Sequence, residues 1–238
     1  MSKRRNITSL VLHILILVVT IFSCLSRFAG FRLFGPNGSP SSWTGLKYFT
    51  TESNIFIGAV ALICIPVDIM IISNKMKSRP KWLEITEYAG TSFLALTMMT
   101  VLLILGPGSA IVDKDILSFI DLYRHHNLFF HLLTPILSII VLFLNANNKL
   151  PYKTMIFAIL PVLIYEVFYS IMAISHMDGN WKVPMKYDWY GFMQGGLWSG
   201  IPSVIGMAIL ASLIAFLLLF FYRKRVAARE RSGGCSSK

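Results

Sequence analysis

The chain has 238 residues, 55% of them hydrophobic and only 14% charged, with a formal net charge of +11 and a mean hydropathy of +0.65. Such a composition excludes a water-soluble globule and points to a membrane protein. The positive balance needs no nucleic acid to explain it, because basic residues gather at a membrane rim beside anionic headgroups.

Runs of about 18 or more mostly apolar residues read as helices that cross a bilayer, since a helix rising about 1.5 Å per residue must span about 30 Å of hydrocarbon. Six such runs, at residues 8–28, 53–73, 86–106, 128–144, 153–175 and 202–222, predict an all-α integral membrane protein: one six-helix transmembrane domain over residues 1–222 and a basic, disordered tail over residues 223–238. The first run follows Lys3, Arg4 and Arg5 as a cleavable signal would. Its apolar core is longer than usual and no small-x-small cleavage site follows, so it is expected to remain as an anchor. His13, one turn in, reads as a packing residue. Next comes a turn-rich excursion, Gly35-Pro-Asn-Gly-Ser-Pro-Ser-Ser42, and then a hydroxyl-rich patch, Lys47-Tyr-Phe-Thr-Thr-Glu-Ser-Asn54, at the mouth of the second run. Asp68, near the other end of that run, reads as interfacial.

A histidine-rich patch, His125-His-Asn-Leu-Phe-Phe-His131, opens the fourth run, which is short enough that Asn127 and Asn145 are expected to serve as interfacial turns. Asn127, His131, Thr134 and Ser138 follow one another at helical spacing, and in lipid such a stripe must face protein or water. It either glues helices together or lines a site. Pro135 frees a backbone carbonyl nearby, so one of these side chains can simply repair the helix. In the fifth run Glu166 reads as the one acid deep in the membrane, beside Tyr165 and Tyr169. Three roles stay open for it: orienting His131, carrying protons, or hydrogen bonding to a tyrosine. Cys24, Cys64 and Cys235 show no metal spacing and no evident disulfide pair, and Cys235-Ser-Ser-Lys238 lacks the aliphatic residues of a prenylation box.

Orientation follows from Lys and Arg, which short cytoplasmic loops retain. The N-terminal segment, the second and fourth loops and the tail hold 15 of the 22, and the seven on the other face are offset by six acids. Both termini are therefore expected in the cytoplasm, with the two polar patches opening together on the outer face.

Thr50, Thr51 and Ser53 are each placed to cap the second helix. One helix needs one cap, however, and Thr50 and Asn54 share a face. A hydroxyl becomes a nucleophile when a neighbouring base takes its proton, and neutral imidazole is the commonest such base. Helix N-termini at the same face would aim N–H donors at a developing oxyanion. A zinc site drawn from His125, His126, His131, His176 and Asp178 fits less well, since His126 and His131 are five apart rather than three or four. No metal and no cofactor are expected.

Lys47-Tyr-Phe-Thr-Thr-Glu-Ser-Asn54 resembles the motif that opens the second helix in the androgen-induced-gene-1/FAR-17a-like superfamily of six-span membrane proteins and its bacterial Pr6Pr-type branch. His131-Leu-Leu-Thr-Pro135 is similar to that superfamily's His-x-x-x-Pro segment, and Gly179-Asn-Trp-Lys-Val-Pro184 to its Gly-x-Trp-x-Tyr-Pro segment, with Val183 in place of Tyr. Order and layout agree over residues 8–222. Animal members hydrolyse fatty acid esters of hydroxy fatty acids with a Thr and a His. The resemblance implies those roles for Thr50 and His131, with Thr51 one residue away as the other possible nucleophile.

The sequence reading is thus a hydrolase of lipid esters in the plasma membrane, with Thr50 and His131 catalytic. Thr51, Ser53, Asn54, Asn127, Thr134, Glu166, Tyr169 and Trp181 are expected to support the site or bind substrate, and the partners are membrane lipids and a lipid-like substrate. A small transporter or lipid-binding protein is the rival reading. Transport should bring an internal repeat or broken helices, whereas Gly106-Pro-Gly108 and Gly200-Ile-Pro202 fall at predicted helix ends.

Overall fold

The structure, a computed structural model, describes residues 3–29, 43–107, 111, 116–123, 126–193 and 196–234. His125, Arg124, Asp113, Asp115, the turn segment 35–42 and Cys235 with the residues after it lie outside the described residues. Among the described residues there is helix and no strand. Among the described residues six helices are long and apolar enough to cross a membrane, which fits a multi-pass membrane protein. We number them α1 (Lys3–Ala29), α2 (Phe49–Ile72), α3 (Lys81–Leu105), α4 (His126–Asn145), α5 (Tyr152–Ile174) and α6 (Leu197–Gly234).

The polarity of α1 is inverted relative to a helix of a soluble protein. Ile7, Val11, Ile14, Leu15, Val18, Ile21 and Leu25 point outward and are exposed, while Asn6, Ser9, His13, Thr20, Ser23 and Ser26 are buried. Lipid tails are as apolar as leucine, so sorting apolar residues inward gains nothing there; close packing and polar contacts between helices do the work instead. At the α1–α2 crossing a β-carbon on Gly58 would lie 2.7 Å from Thr20 Cγ2, so only a bare α-carbon lets the two backbones approach this closely.

α3 is the central helix. It packs against α2, α4, α5 and α6, and 67% of its most apolar stretch is buried, against 22% in α5 and α6. The least apolar of the six thus takes the place where polar groups find partners. It also starts at Lys81 rather than residue 86, because Lys81–Glu84 are good helix formers that an apolar window overlooks. Near its start Glu84 accepts from the backbone N–H and the side-chain amide of Asn148, at 3.1 and 2.7 Å, and from the Tyr222 hydroxyl. One buried carboxylate thereby ties the α4–α5 connection and α6 to the core.

Six crossings return both chain ends to one face, called the terminal face below. There the structure corrects one boundary: α6 does not stop at Tyr222 but continues to Gly234, so residues 223–234 are helical, not a disordered tail. Arg229 reaches the carbonyls of Phe143, Leu144 and Ala146 at the C-terminal end of α4, where the helix dipole favours a cation. Arg223 donates to the Leu150 carbonyl at 2.6 Å.

Candidate functional site

α2 begins with Tyr48 at its N-cap and no side-chain cap. The Phe49 N–H donates instead to the hydroxyls of Tyr165 (3.2 Å) and Tyr190 (2.9 Å), brought from α5 and from the connection before α6. Tyr165 in turn donates to the Lys47 carbonyl at 2.5 Å and accepts from the Trp189 indole at 3.0 Å. Burial pushes the Tyr190 phenol well above its ordinary value, so it stays neutral. Two tyrosines therefore do the work expected of Thr50, Thr51 or Ser53, and the threonine hydroxyls are released from capping.

α4 carries a π-turn at Phe129–Leu133, centred on His131. A π-turn pairs residue i with i+5, which assigns the Phe130 carbonyl to residue 135. Residue 135 is proline and has no N–H. Asn54 supplies what is missing, donating from Nδ2 to the Phe130 carbonyl at 3.3 Å and to the Thr50 carbonyl at 2.8 Å. Asn54 is thus a structural bridge between α2 and α4. Ser53, which donates to the same Thr50 carbonyl at 3.0 Å, also serves the helix. A second π-turn lies at Val101–Leu105 in α3, so two spans carry the irregularity that the apolar runs did not announce.

Thr50 stands between two cavities. On one side is a polar cavity of about 310 Å³, lined by Thr50, Thr51, Asn127, His126 and His131, with Arg27, Tyr48 and Trp189 at its wall. On the other is an apolar cavity of about 50 Å³ among α2, α3, α5 and α6, lined by Thr50, Val101, Val162, Glu166, Tyr169 and Met207. Leu105 and Tyr190 line both. His131 is 9% exposed and its Nδ1 has no hydrogen-bond partner. Lys47 lies at the mouth over the Tyr48 and Trp189 rings, its pKa lowered by burial and by the neighbouring charges of Arg27 and Lys186.

The other expected residues divide. Asn127 and Thr51 line the polar cavity with Thr50 and His131, but Thr134 lies a turn deeper, wholly buried, its hydroxyl unpartnered. Glu166 does not orient His131: it lines the apolar cavity, and neither carboxyl oxygen has a partner. Tyrosine bonding is not its role either, since Tyr165 donates to Lys47 and Tyr169 to Asp188. Trp181 lines neither cavity; it is 65% exposed on a backbone with φ of 62°. The indole in the wall is Trp189, which no motif had marked. His176 is exposed, stacks on Tyr187 and lines neither cavity.

Nor is Glu166 the one deep acid. Near the terminal face Asp68 of α2, Glu87 of α3, His13 of α1 and Arg79 of the α2–α3 connection form a cluster in which no residue is more than 2% exposed. Arg79 bonds Asp68 at 2.6 Å and Glu87 at 2.9 Å. His13 meets Asp68 through Nδ1 at 2.8 Å and Glu87 through Nε2 at 2.9 Å. Ser9 donates to Asp68 at 2.9 Å and Asn145 to Glu87 at 3.4 Å. Burial alone would lower the Arg79 pKa, but the carboxylates of Glu87 and Asp68 outweigh it, raise it and keep the guanidinium charged. His13, Cys64 and Glu87 present donor atoms within 4.8 Å of one another, as a metal site would. Arg79 Nη1 already lies 3.8 Å from Cys64 Sγ and 2.9 Å from Glu87, so a cation faces these donors already. Asp68 is therefore part of a buried ionic network, not an interfacial residue.

Compared with known protein families, characterised proteins and solved structures, the chain matches none of them.

Proposed function

We propose that the protein is a lipid-ester hydrolase acting within the membrane, with Thr50 as nucleophile and His131 as general base. The observation that carries this reading is the position of Thr50, at the junction of a polar cavity shared with His131 and an apolar cavity suited to hydrocarbon. An ester straddling that junction leaves its acyl end among Val101, Val162 and Met207 and its carbonyl beside the hydroxyl. The apolar volume holds only the nearest methylenes, and the rest of the chain lies between helices, in lipid.

Neutral His131 takes the Thr50 proton as the oxygen attacks the carbonyl, then returns it to the departing alcohol. Water repeats the sequence on the acyl-threonine and releases the acid. Developing negative charge falls beside Asn127 and the Arg27 guanidinium, donors in the same cavity. In this reading both termini are cytoplasmic, the cavities open toward the outer leaflet, and the membrane is the plasma membrane. The excess of Lys and Arg at the terminal face supports that orientation.

The test is labelling of detergent-purified protein with a fluorophosphonate probe. Wild type should label, Thr50→Ala and His131→Ala should not, and Thr51→Ala should. A folded wild type that fails to label overturns the hydrolase reading; labelling lost only in Thr51→Ala moves the nucleophile by one residue.

A further inference from the structure

Between the His131 cavity and the ionic cluster at the terminal face lie buried polar groups without partners. Thr134 and Ser138 of α4 and Thr91 of α3 are wholly buried, and each hydroxyl lacks a partner; the Asn145 side-chain oxygen lacks one too. Their order along the bundle follows from helix geometry. Asn145 touches Glu87. At about 1.5 Å per residue, Thr91 lies about 6 Å above that level, Ser138 about 10 Å, Thr134 about 16 Å and His131 about 21 Å. Rises of about 4 to 6 Å along the axis lie within what one water molecule bridges with two hydrogen bonds of about 2.8 Å. Leaving several hydroxyls unpaired in a hydrocarbon-like interior is unfavourable, and internal water is the usual remedy.

We propose that this line is a proton path across the bundle, with His131 at one end and the His13–Glu87–Asp68–Arg79 cluster at the other. It shares only His131 with the hydrolase reading and does not rest on it, because no ester chemistry enters it. His13 fits a relay: one ring nitrogen faces each carboxylate, so a proton taken from protonated Glu87 at Nε2 is matched by one released from Nδ1 to Asp68. One N–H bond forms and one breaks; one O–H bond breaks at Glu87 and one forms at Asp68. The ring is left as its other tautomer and resets by flipping. Ser9, Cys64 and Arg79 complete the groups that face this ring. The line is no pore for hydrated ions. Ile57, Leu94 and Val141 of the same three helices belong to one buried apolar cluster, and the Arg79 charge repels free cations at the terminal end while leaving proton hopping between fixed groups open.

The experiment uses the full chain in phosphatidylcholine vesicles with a pH-sensitive dye trapped inside and a potassium diffusion potential imposed by valinomycin. Wild type should acidify the lumen faster than protein-free vesicles, and the hydroxyl-free variant Thr91→Val/Thr134→Val/Ser138→Ala should fall to the protein-free rate. Glu87→Gln should do the same where it folds; the hydroxyl-free variant keeps the shape of the bundle and provides the test where Glu87→Gln does not. A wild type no faster than empty vesicles overturns the proposal, as does a hydroxyl-free variant that conducts like wild type.

Discussion

Asn54 shows how one side chain can look like part of a reactive site and serve the backbone instead. A carbonyl left unpaired in the interior costs about 1–3 kcal/mol, and the proline that frees the Phe130 carbonyl belongs to the same motif as His131. Asn54→Leu should therefore lower the melting temperature in detergent, with a loss of about 1–3 kcal/mol. Adding Pro135→Ala restores an N–H at the i+5 position and should recover most of that loss; no recovery would sink the repair assignment. Glu166 presents the opposite case. Its depth was legible in the sequence, but its neighbours were not, because the adjacent Tyr165 and Tyr169 turn their hydroxyls to Lys47 and Asp188 rather than to the carboxyl beside them.

Between elements, the hydropathy pattern located all six spans, while their ends followed other forces. α6 runs twelve residues beyond its apolar stretch because Arg223 and Arg229 find carbonyls at the end of α4 and in the following turn. Hydrogen bonds to charged groups are worth about 1.5–3 kcal/mol each, so truncation after Tyr222 should lower the melting temperature clearly and truncation after Gly234 should not. Equal melting of the two truncated chains would show that this extension contributes nothing. In α1 the buried polar residues recur at helical spacing, from Ser9 and His13 to Thr20 and Ser23. That spacing is legible in the sequence, but a single histidine in an apolar run reads as packing, and nothing in α1 alone names its partners on α2 and α3.

For the whole molecule, the inverted polarity of α1, the central position of the most polar span and the cluster near the terminal face describe a bundle built for lipid outside and polar contact inside. Its topology is open to a direct check. In a chain with its native cysteines replaced, Asn180→Cys should react with a membrane-impermeant maleimide in intact cells and Lys75→Cys only after permeabilisation; the reverse pattern would invert the orientation and move the polar cavity to the cytoplasmic leaflet. Composition and the length of the apolar runs by themselves determined the class of protein and the number of spans, because a bilayer of fixed thickness admits few ways to satisfy a backbone. Two short motifs name Thr50, Thr51, Asn127 and His131, and all four line one cavity. Only the tertiary structure decided that Trp189 rather than Trp181 forms the wall, that Glu166 lines the apolar cavity, and that Asp68, Arg79, Glu87 and His13 meet. Those four come from three helices and a connecting segment, and linear spacing carries no record of which faces the packing of α1, α2 and α3 turns toward one another.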